Sequence, residues 1–309
     1  MGSLDAPAAK GERGLMYKAL ADAIRDAEKE KKSLAQVALE TEARDQGRPV
    51  EDIRAALLRA LVVMRSAIEK GLVGDLYSAS GLVGGDAAKL RTSDKGPLAQ
   101  TPFRDILMRA LAVQEVNAAM GVIVAAPTAG GAGVLPAILT GLAKARSVPD
   151  EKVVDGLATA GLIGAVVAER ASLSGAEGGC QAETGAAAGM AAGAATEMLG
   201  GTPSQVGHAV ALTMQGRLGL VCDPLGGLVE LPCVFRNATG SAIALAGIEM
   251  ALAGITFAIP VDEVIDVMGE IGREMDVRYR ETAGGGLAAT PTGRRLAKER
   301  LYQIKRSDG

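Results

Sequence analysis

All three cysteines of this 309-residue chain lie between Ser172 and Asn237, in two segments that hydrophobic packing alone does not explain. Cys180 stands in SLSGAEGGCQAETG, and Cys222 and Cys233 stand in VCDPLGGLVELPCVFRN, so 41 and then 10 residues separate successive thiols. Each thiol has glycine or proline within two residues, which predicts non-helical backbone at all three positions. Because free cysteine is among the most buried residue types, three packing cysteines without a function are the alternative.

An odd number of cysteines in a chain without a signal-peptide pattern argues against a disulfide framework and favours metal binding or catalysis. Three thiols with a single histidine suit a soft metal site, either zinc or an iron–sulfur cluster. Structural zinc requires a fourth protein ligand and usually short Cys-x-x-Cys spacings, which the sequence lacks, so zinc is the weaker candidate. A four-iron cluster held by three thiolates leaves one iron open to act as a Lewis acid on a substrate.

A second candidate is the glycine-rich stretch PTAGGAGVLPA, residues 127–137. Exposed backbone N–H groups before a helix bind carboxylates, and the Thr128 hydroxyl adds a further donor, so we favour a carboxylate site. A flexible break between two buried helices is the alternative.

Other titratable residues carry weaker signals. His208, the only histidine, stands in the apolar stretch SQVGHAVALTM, where a structural histidine is more common than a catalytic base. Glu177 and Glu183 flank Cys180, and the sequence does not distinguish a catalytic role from one that orients the Gly-rich backbone.

Composition predicts the fold class. Apolar residues make up 48% of the chain but aromatic residues only 2%, so the core must consist of Ala, Leu, Val, Ile and Gly, which favours helix over sheet. We expect one all-α, multi-helix domain over residues 15–309, with Gly/Ala-rich central helices, Gly-rich active-site loops and a disordered tail over residues 1–14. The net charge of −3 and the absence of a basic patch exclude nucleic acid as an expected partner.

Two long apolar stretches, residues 110–143 and 238–260, raise a membrane alternative. Proline and glycine interrupt the first stretch, Glu249 lies within the second, and neither has a belt of Trp and Tyr. We therefore interpret both as buried helices of a cytoplasmic protein.

Local signals place several helix ends. Thr101 before Pro102 and Thr202 before Pro203 predict N-caps with proline in the first turn. Gly71 is the predicted C-cap of a helix that begins after Pro49, and residues 72–97 are the predicted loop that follows.

These motifs together resemble one family, the catalytic α subunit of iron–sulfur-dependent L-serine dehydratase. The resemblance rests on both cysteine segments, on the 127–137 stretch and on SGLVGGDAAKL at residues 80–90, and it covers residues 16–306. It implies deamination of L-serine to pyruvate and ammonia without pyridoxal phosphate. It also implies a [4Fe-4S] cluster on Cys180, Cys222 and Cys233, whose open iron binds the serine hydroxyl while a base removes the Cα proton.

The reasoning that favours a carboxylate site at residues 127–137 also gives candidate roles to further polar residues near the cluster, with a surface arginine or a capping serine as the common alternative. Ser172 and Ser174 are the candidate catalytic residues. The candidate substrate-binding residues are Thr128, Ala129, Gly130, Gly131, Arg236 and Asn237.

The sequence departs from the family in two respects. The family has a β part with a Ser- and His-rich motif, which this sequence lacks, so we expect a separate β subunit as partner. Some members end in a cysteine that reaches the open iron, and this sequence does not, so we expect no cysteine of its own there. Two alternatives stay open: a related cluster lyase for cysteine or threonine, and a zinc-stabilised structural subunit.

Overall fold

The computed structural model describes residues 17–307, with side chains over residues 17–300, and it is built from helices packed on helices. The tail predicted over residues 1–14 lies outside the described residues. Over residues 17–307 there is no β-strand, only two isolated bridges, Tyr77–Gly84 and Cys222–Arg280. The all-α prediction is confirmed. The α-helices are α1 Leu20–Glu30, α2 Leu34–Gln46, α3 Val50–Val73, α4 Asp86–Thr92, α5 Pro102–Ala118, α6 Val134–Arg146, α7 Asp150–Arg170, α8 Gly175–Gly178, α9 Ala186–Met198, α10 Pro203–Met214, α11 Cys233–Leu252, α12 Val261–Glu274 and α13 Pro291–Ser307.

Helix α9 is the centre of the molecule. Every residue of α9 except Glu197 is buried, and α7, α10, α11 and α6 pack around it. Small residues allow this close packing: a Cβ placed on Gly189 would lie 2.7 Å from Cγ of Met214. The predicted Gly/Ala-rich central helix is therefore confirmed. Over residues 17–307 no helix is long and apolar enough to cross a membrane.

Helix starts follow the local sequence signals. The Thr101 hydroxyl accepts the N–H of Arg104 at 3.4 Å. Thr202 and Gln205 form a reciprocal capping box at the start of α10, with side-chain to backbone distances of 3.2 and 2.9 Å.

Buried or half-buried carboxylates also hold helix starts, by accepting N–H groups that have no partner inside the helix. Asp262 binds the first turn of α1, Glu115 that of α4 and Glu197 that of α2. The donors are the N–H groups of Leu20 and Ala21 for Asp262, Asp86 and Ala87 for Glu115, and Ala35 for Glu197.

Three sequence predictions are wrong. Gly71 does not end a helix: it lies inside α3, pressed against the backbone of Ala112, and the C-cap is Gly74. The predicted loop over residues 72–97 contains α4. The predicted non-helical backbone is wrong for two cysteines, because Cys180 has right-handed helical dihedrals at the start of a π-helix, Gln181–Gly185, and Cys233 is the first residue of α11.

Candidate active site around the three cysteines

Each cysteine is fixed by a different kind of local structure. Cys180 precedes the π-helix that leads into α9, and Cys233 begins α11. Cys222 lies on a short extended segment whose N–H donates to the Tyr279 carbonyl and whose carbonyl accepts the Glu281 N–H, both at 2.8 Å. The segment before α13 therefore supports one thiol, and two helix starts support the others.

The three thiols are free, buried and close enough to affect one another's ionisation. Burial raises the pKa of Cys233 to about 12, and the charges of Cys180 and Glu183 add to the effect. Burial, followed by the charge of Cys180, also raises the pKa of Cys222 far above its usual range. Both thiols are therefore protonated at neutral pH, and a metal that binds them must release protons.

The three free thiols are the candidate metal ligands of the site. Over residues 17–300 no three His, Cys, Asp or Glu side chains converge closely enough to hold one metal ion. The thiols are near enough for the charges of neighbouring cysteines to affect the pKa values of Cys222 and Cys233. A cluster accommodates this arrangement because each thiolate binds a different iron.

Two arginines place positive charge on the Cys180 side of the site. Arg217 donates to the Thr184 hydroxyl at 2.7 Å, and that hydroxyl lies 3.1 Å from Sγ of Cys180. Arg236 is attracted to Cys180, pairs with the buried Asp223 at 2.8 Å and donates to the Val221 carbonyl at 2.8 Å. Arg236 thus fixes the segment on either side of Cys222.

Asn237 joins the Gly-rich loop, residues 126–133, to Cys233. Its side chain is fully buried, and its amide nitrogen donates to the carbonyls of Gly130 and Cys233 at 2.7 and 2.9 Å. Its amide oxygen accepts the N–H of Gly133 at 2.9 Å. Both ends of the amide are occupied by protein backbone.

The same loop presents unpaired donors. Within the described part of the chain, the N–H groups of Ala129, Gly130 and Gly131 donate to no protein acceptor, and α6 begins at Val134. Unpaired N–H groups before a helix form the kind of concave site that binds carboxylates.

Glu183 lies between the Gly-rich loop and Cys222. Its Oε1 accepts the Thr128 hydroxyl at 2.8 Å, and its Oε2 lies 3.9 Å from Sγ of Cys222. A Cβ placed on Gly130 would lie 2.9 Å from both carboxylate oxygens, and one on Gly175 would lie 2.8 Å from Oε2. Burial raises the pKa of Glu183, and the hydrogen bond from Thr128 opposes that rise.

Ser172 and Ser174 lie in the segment that leads to Cys180. The Ser172 hydroxyl donates to Glu177 at 2.6 Å and accepts the Ser174 N–H at 3.0 Å. Ser172 and Glu177 line a cavity of about 380 Å³, together with Arg273 and Arg280. The hydroxyl of Ser172 is thus directed to Glu177.

His208 has a structural contact. It is half-buried on α10, and its Nδ1 accepts the N–H of Phe257 at 3.3 Å. This contact agrees with the structural interpretation of the histidine.

Glu230, which sequence reasoning missed, ties the 78–83 loop to the Cys233 segment. This buried carboxylate accepts the hydroxyls of Ser78, at 2.7 Å, and of Ser80. Its carbonyl accepts the N–H of Val234 at 2.9 Å. A charged residue inside the apolar run before Cys233 was the signal in the sequence.

A family model described as serine dehydratase alpha chain matches residues 29–288, a range that holds every site residue named above. The chain belongs to the serine dehydratase alpha chain family. It is 52% identical over 255 residues to the probable L-serine dehydratase alpha chain of Bacillus subtilis (strain 168), which covers 81% of this chain and 83% of that protein. It is 40% identical over 269 residues to the L-serine dehydratase alpha chain of Peptoniphilus asaccharolyticus, covering 86% and 91%.

A third relative in the serine dehydratase alpha chain family is longer than this chain. The L-serine dehydratase of Streptomyces coelicolor is 42% identical over 248 residues, which are 78% of this chain but only 54% of that protein. The family prediction made from the cysteine segments and the Gly-rich loop is confirmed.

Proposed function

We propose that the chain is the alpha chain of an L-serine dehydratase, which removes water from L-serine and yields pyruvate and ammonia. The observation that carries the proposal is the meeting of three buried free thiols, the unpaired N–H groups of residues 129–131 and Glu183 in one place. The names of the relatives support serine as the substrate.

Cys180, Cys222 and Cys233 would hold a [4Fe-4S] cluster, which in its bound form supplies a Lewis acid that stabilises the departing hydroxide. Arg217 and Arg236 place positive charge beside Cys180, which lowers the cost of gathering negative charge in a buried site. Three free thiols also favour the reducing cytoplasm as the place of action.

The N–H groups of Ala129, Gly130 and Gly131 bind the α-carboxylate of serine, and Thr128 borders that site with its hydroxyl donated to Glu183. Asn237 and Arg236 act without touching serine, because their polar atoms already bind backbone and Asp223. Ser172 and Ser174 stay the candidate catalytic residues, on the segment that leads to Cys180. The net reaction removes the Cα proton and the Cβ hydroxyl as water, and water then hydrolyses the resulting enamine, through its imine, to pyruvate and ammonia.

A second chain supplies the group that removes the Cα proton. His208 is occupied at Phe257 and lies on α10 rather than among the cysteine segments. The matched region is only 54% of the Streptomyces coelicolor relative, and the rest of that protein is the part to which we assign the counterpart of the second chain.

The test is anaerobic reconstitution of the full chain with iron and sulfide, alone and with a beta chain of the same source, followed by pyruvate and 2-oxobutyrate assays on serine, cysteine and threonine. We expect iron uptake, and serine turnover that requires the second chain. Uptake of zinc but not iron would favour a structural subunit. Faster turnover of cysteine or threonine than of serine would reassign the substrate.

Single Cys→Ser variants at Cys180, Cys222 and Cys233 test the ligand set. Each variant is expected to lose iron and visible absorbance, while the circular dichroism of the cofactor-free chain stays helical. Full iron content in any one variant removes that cysteine from the set.

A further inference from the structure

Negative charge gathers on one wall of the site without a matching cation. Glu183 and Glu281 both contact Cys222: Oε2 of Glu183 lies 3.9 Å from its Sγ, and the N–H of Glu281 donates to its carbonyl at 2.8 Å. Among the ion pairs formed by residues 17–300, none includes Glu183 or Glu281. The opposite side of the site, around Cys180, carries Arg217 and Arg236. The site is therefore polarised, with an acidic wall at Glu183 and Glu281 and two arginines around Cys180.

The position of the Glu183 carboxylate depends on two glycines that pack against it. Gly130 and Gly175 leave no side chain between the backbone and the Glu183 carboxylate, since a Cβ on either would come within 3 Å of it. One carboxylate oxygen is fixed by Thr128, and the other points toward Cys222. Glu183 is half-buried rather than fully enclosed.

The acidic wall lies next to the unpaired N–H groups of residues 129–131, and this arrangement decides which ligand the wall recognises. Gly130 contributes an unpaired N–H and also packs against Glu183, so an anion site and an acidic group are immediate neighbours. An α-amino acid carries its carboxylate and its ammonium on the same carbon. One zwitterion can therefore meet both groups at once, whereas a hydroxy acid or a simple carboxylate can meet only the N–H groups.

We propose that Glu183, supported by Thr128, is the subsite for the α-ammonium group of the substrate and selects amino acids over other small carboxylates. The inference rests on the proposed function, because it takes an amino acid to be the substrate. It assigns Glu183 to binding rather than to proton removal. Thr128 is a positioning residue that fixes the carboxylate.

The experiment compares L-alanine and propanoate, which differ only by the ammonium group and have no hydroxyl to lose. Both are measured as competitive inhibitors and by calorimetry on reconstituted wild type and Glu183→Gln, with iron content determined for each preparation. Glu183→Gln should weaken L-alanine about tenfold, as expected for a lost charge-assisted hydrogen bond, and leave propanoate within about twofold. The KM for serine should rise by the same factor, with a smaller change in kcat.

Glu197→Gln is the matched control, because Glu197 is another half-buried carboxylate, located at the far end of α9 and bound to α2. It should leave both inhibitors unchanged. Should Glu183→Gln fail to take up iron, Thr128→Val keeps the charge but removes its hydrogen bond, and it should weaken L-alanine with little effect on propanoate.

The inference would be overturned if the variant that takes up iron, Glu183→Gln or Thr128→Val, bound both inhibitors equally more weakly. It would also be overturned by a fall in kcat with an unchanged KM, because that result indicates that Glu183 acts as the catalytic base. A failure of the proposed function looks different: wild type with full iron and the second chain would not release pyruvate from serine at all.

Discussion

Asn237→Ala should loosen the Gly-rich loop and destabilise the chain by a large fraction of its folding free energy. The substitution leaves two buried backbone groups, the Gly130 carbonyl and the Gly133 N–H, without a partner. Each such group costs about 1–3 kcal/mol, so we expect a loss of about 2–6 kcal/mol. The Cys233 carbonyl adds little to this total, because it also accepts an N–H within α11.

The assay is urea unfolding of the cofactor-free chain, followed by circular dichroism, with hydrogen exchange over residues 127–137. Ser241→Ala is the control: Ser241 is equally buried, one turn later on α11, and its hydroxyl binds only the Asn237 carbonyl. This control should cost about 1 kcal/mol or less. If Asn237→Ala costs no more than Ser241→Ala, or if the Gly133 amide stays protected, the assignment of Asn237 as the anchor is wrong.

Two further predictions concern stability. Gly71→Ala should destabilise the folded chain by about 1–3 kcal/mol or more, because a methyl group at this position meets the Ala112 backbone. Gly161→Ala, on an open face of α7, should instead stabilise the folded chain by about 0.5–1 kcal/mol. The midpoints of urea unfolding compare the two variants, and equal effects would contradict the packing of α3 on α5. Burial raises the folded-state pKa of Glu115 above its usual 4.5, so ionisation opposes folding: relative to Glu115→Gln, wild type should lose unfolding free energy as pH rises from about 4.5 through the raised pKa. Unfolding titrations between about pH 4 and 8 measure this, and a pH-independent difference would refute it.

Local signals in the sequence were sufficient for the starts of α5 and α10 and for the fold class. Thr101 and Thr202 cap helices through residues three positions away, so a short window contains both partners. Gly71 misled because its partner, Ala112, lies on another helix, and close packing and a C-cap both favour glycine. The cysteine motifs identified the family, while the helical backbone at Cys180 and Cys233 depends on neighbours outside the motifs.

The contacts of the site were harder to predict. Glu183 gains its significance from Thr128, 55 residues earlier, and no periodicity connects the two. Glu230 is bound by Ser78 and Ser80, 152 and 150 residues away. Asn237 was a candidate for substrate binding, but its backbone partners, Gly130 and Gly133, are 107 and 104 positions distant. Such pairings arise from tertiary packing, which one sequence does not encode in any local pattern.

The backbone bonds of Cys222 with Tyr279 and Glu281 bear on when the protein can mature during synthesis. A zinc finger closes around its metal within a short segment, but here the support for one thiol comes from residues made more than 50 positions later. Such distant contacts form late, since chain closure precedes any gain from them. The full support of Cys222 therefore forms only once the chain has been made through Glu281, so a metal group held by the three proposed ligand cysteines would be bound by a chain synthesised at least that far.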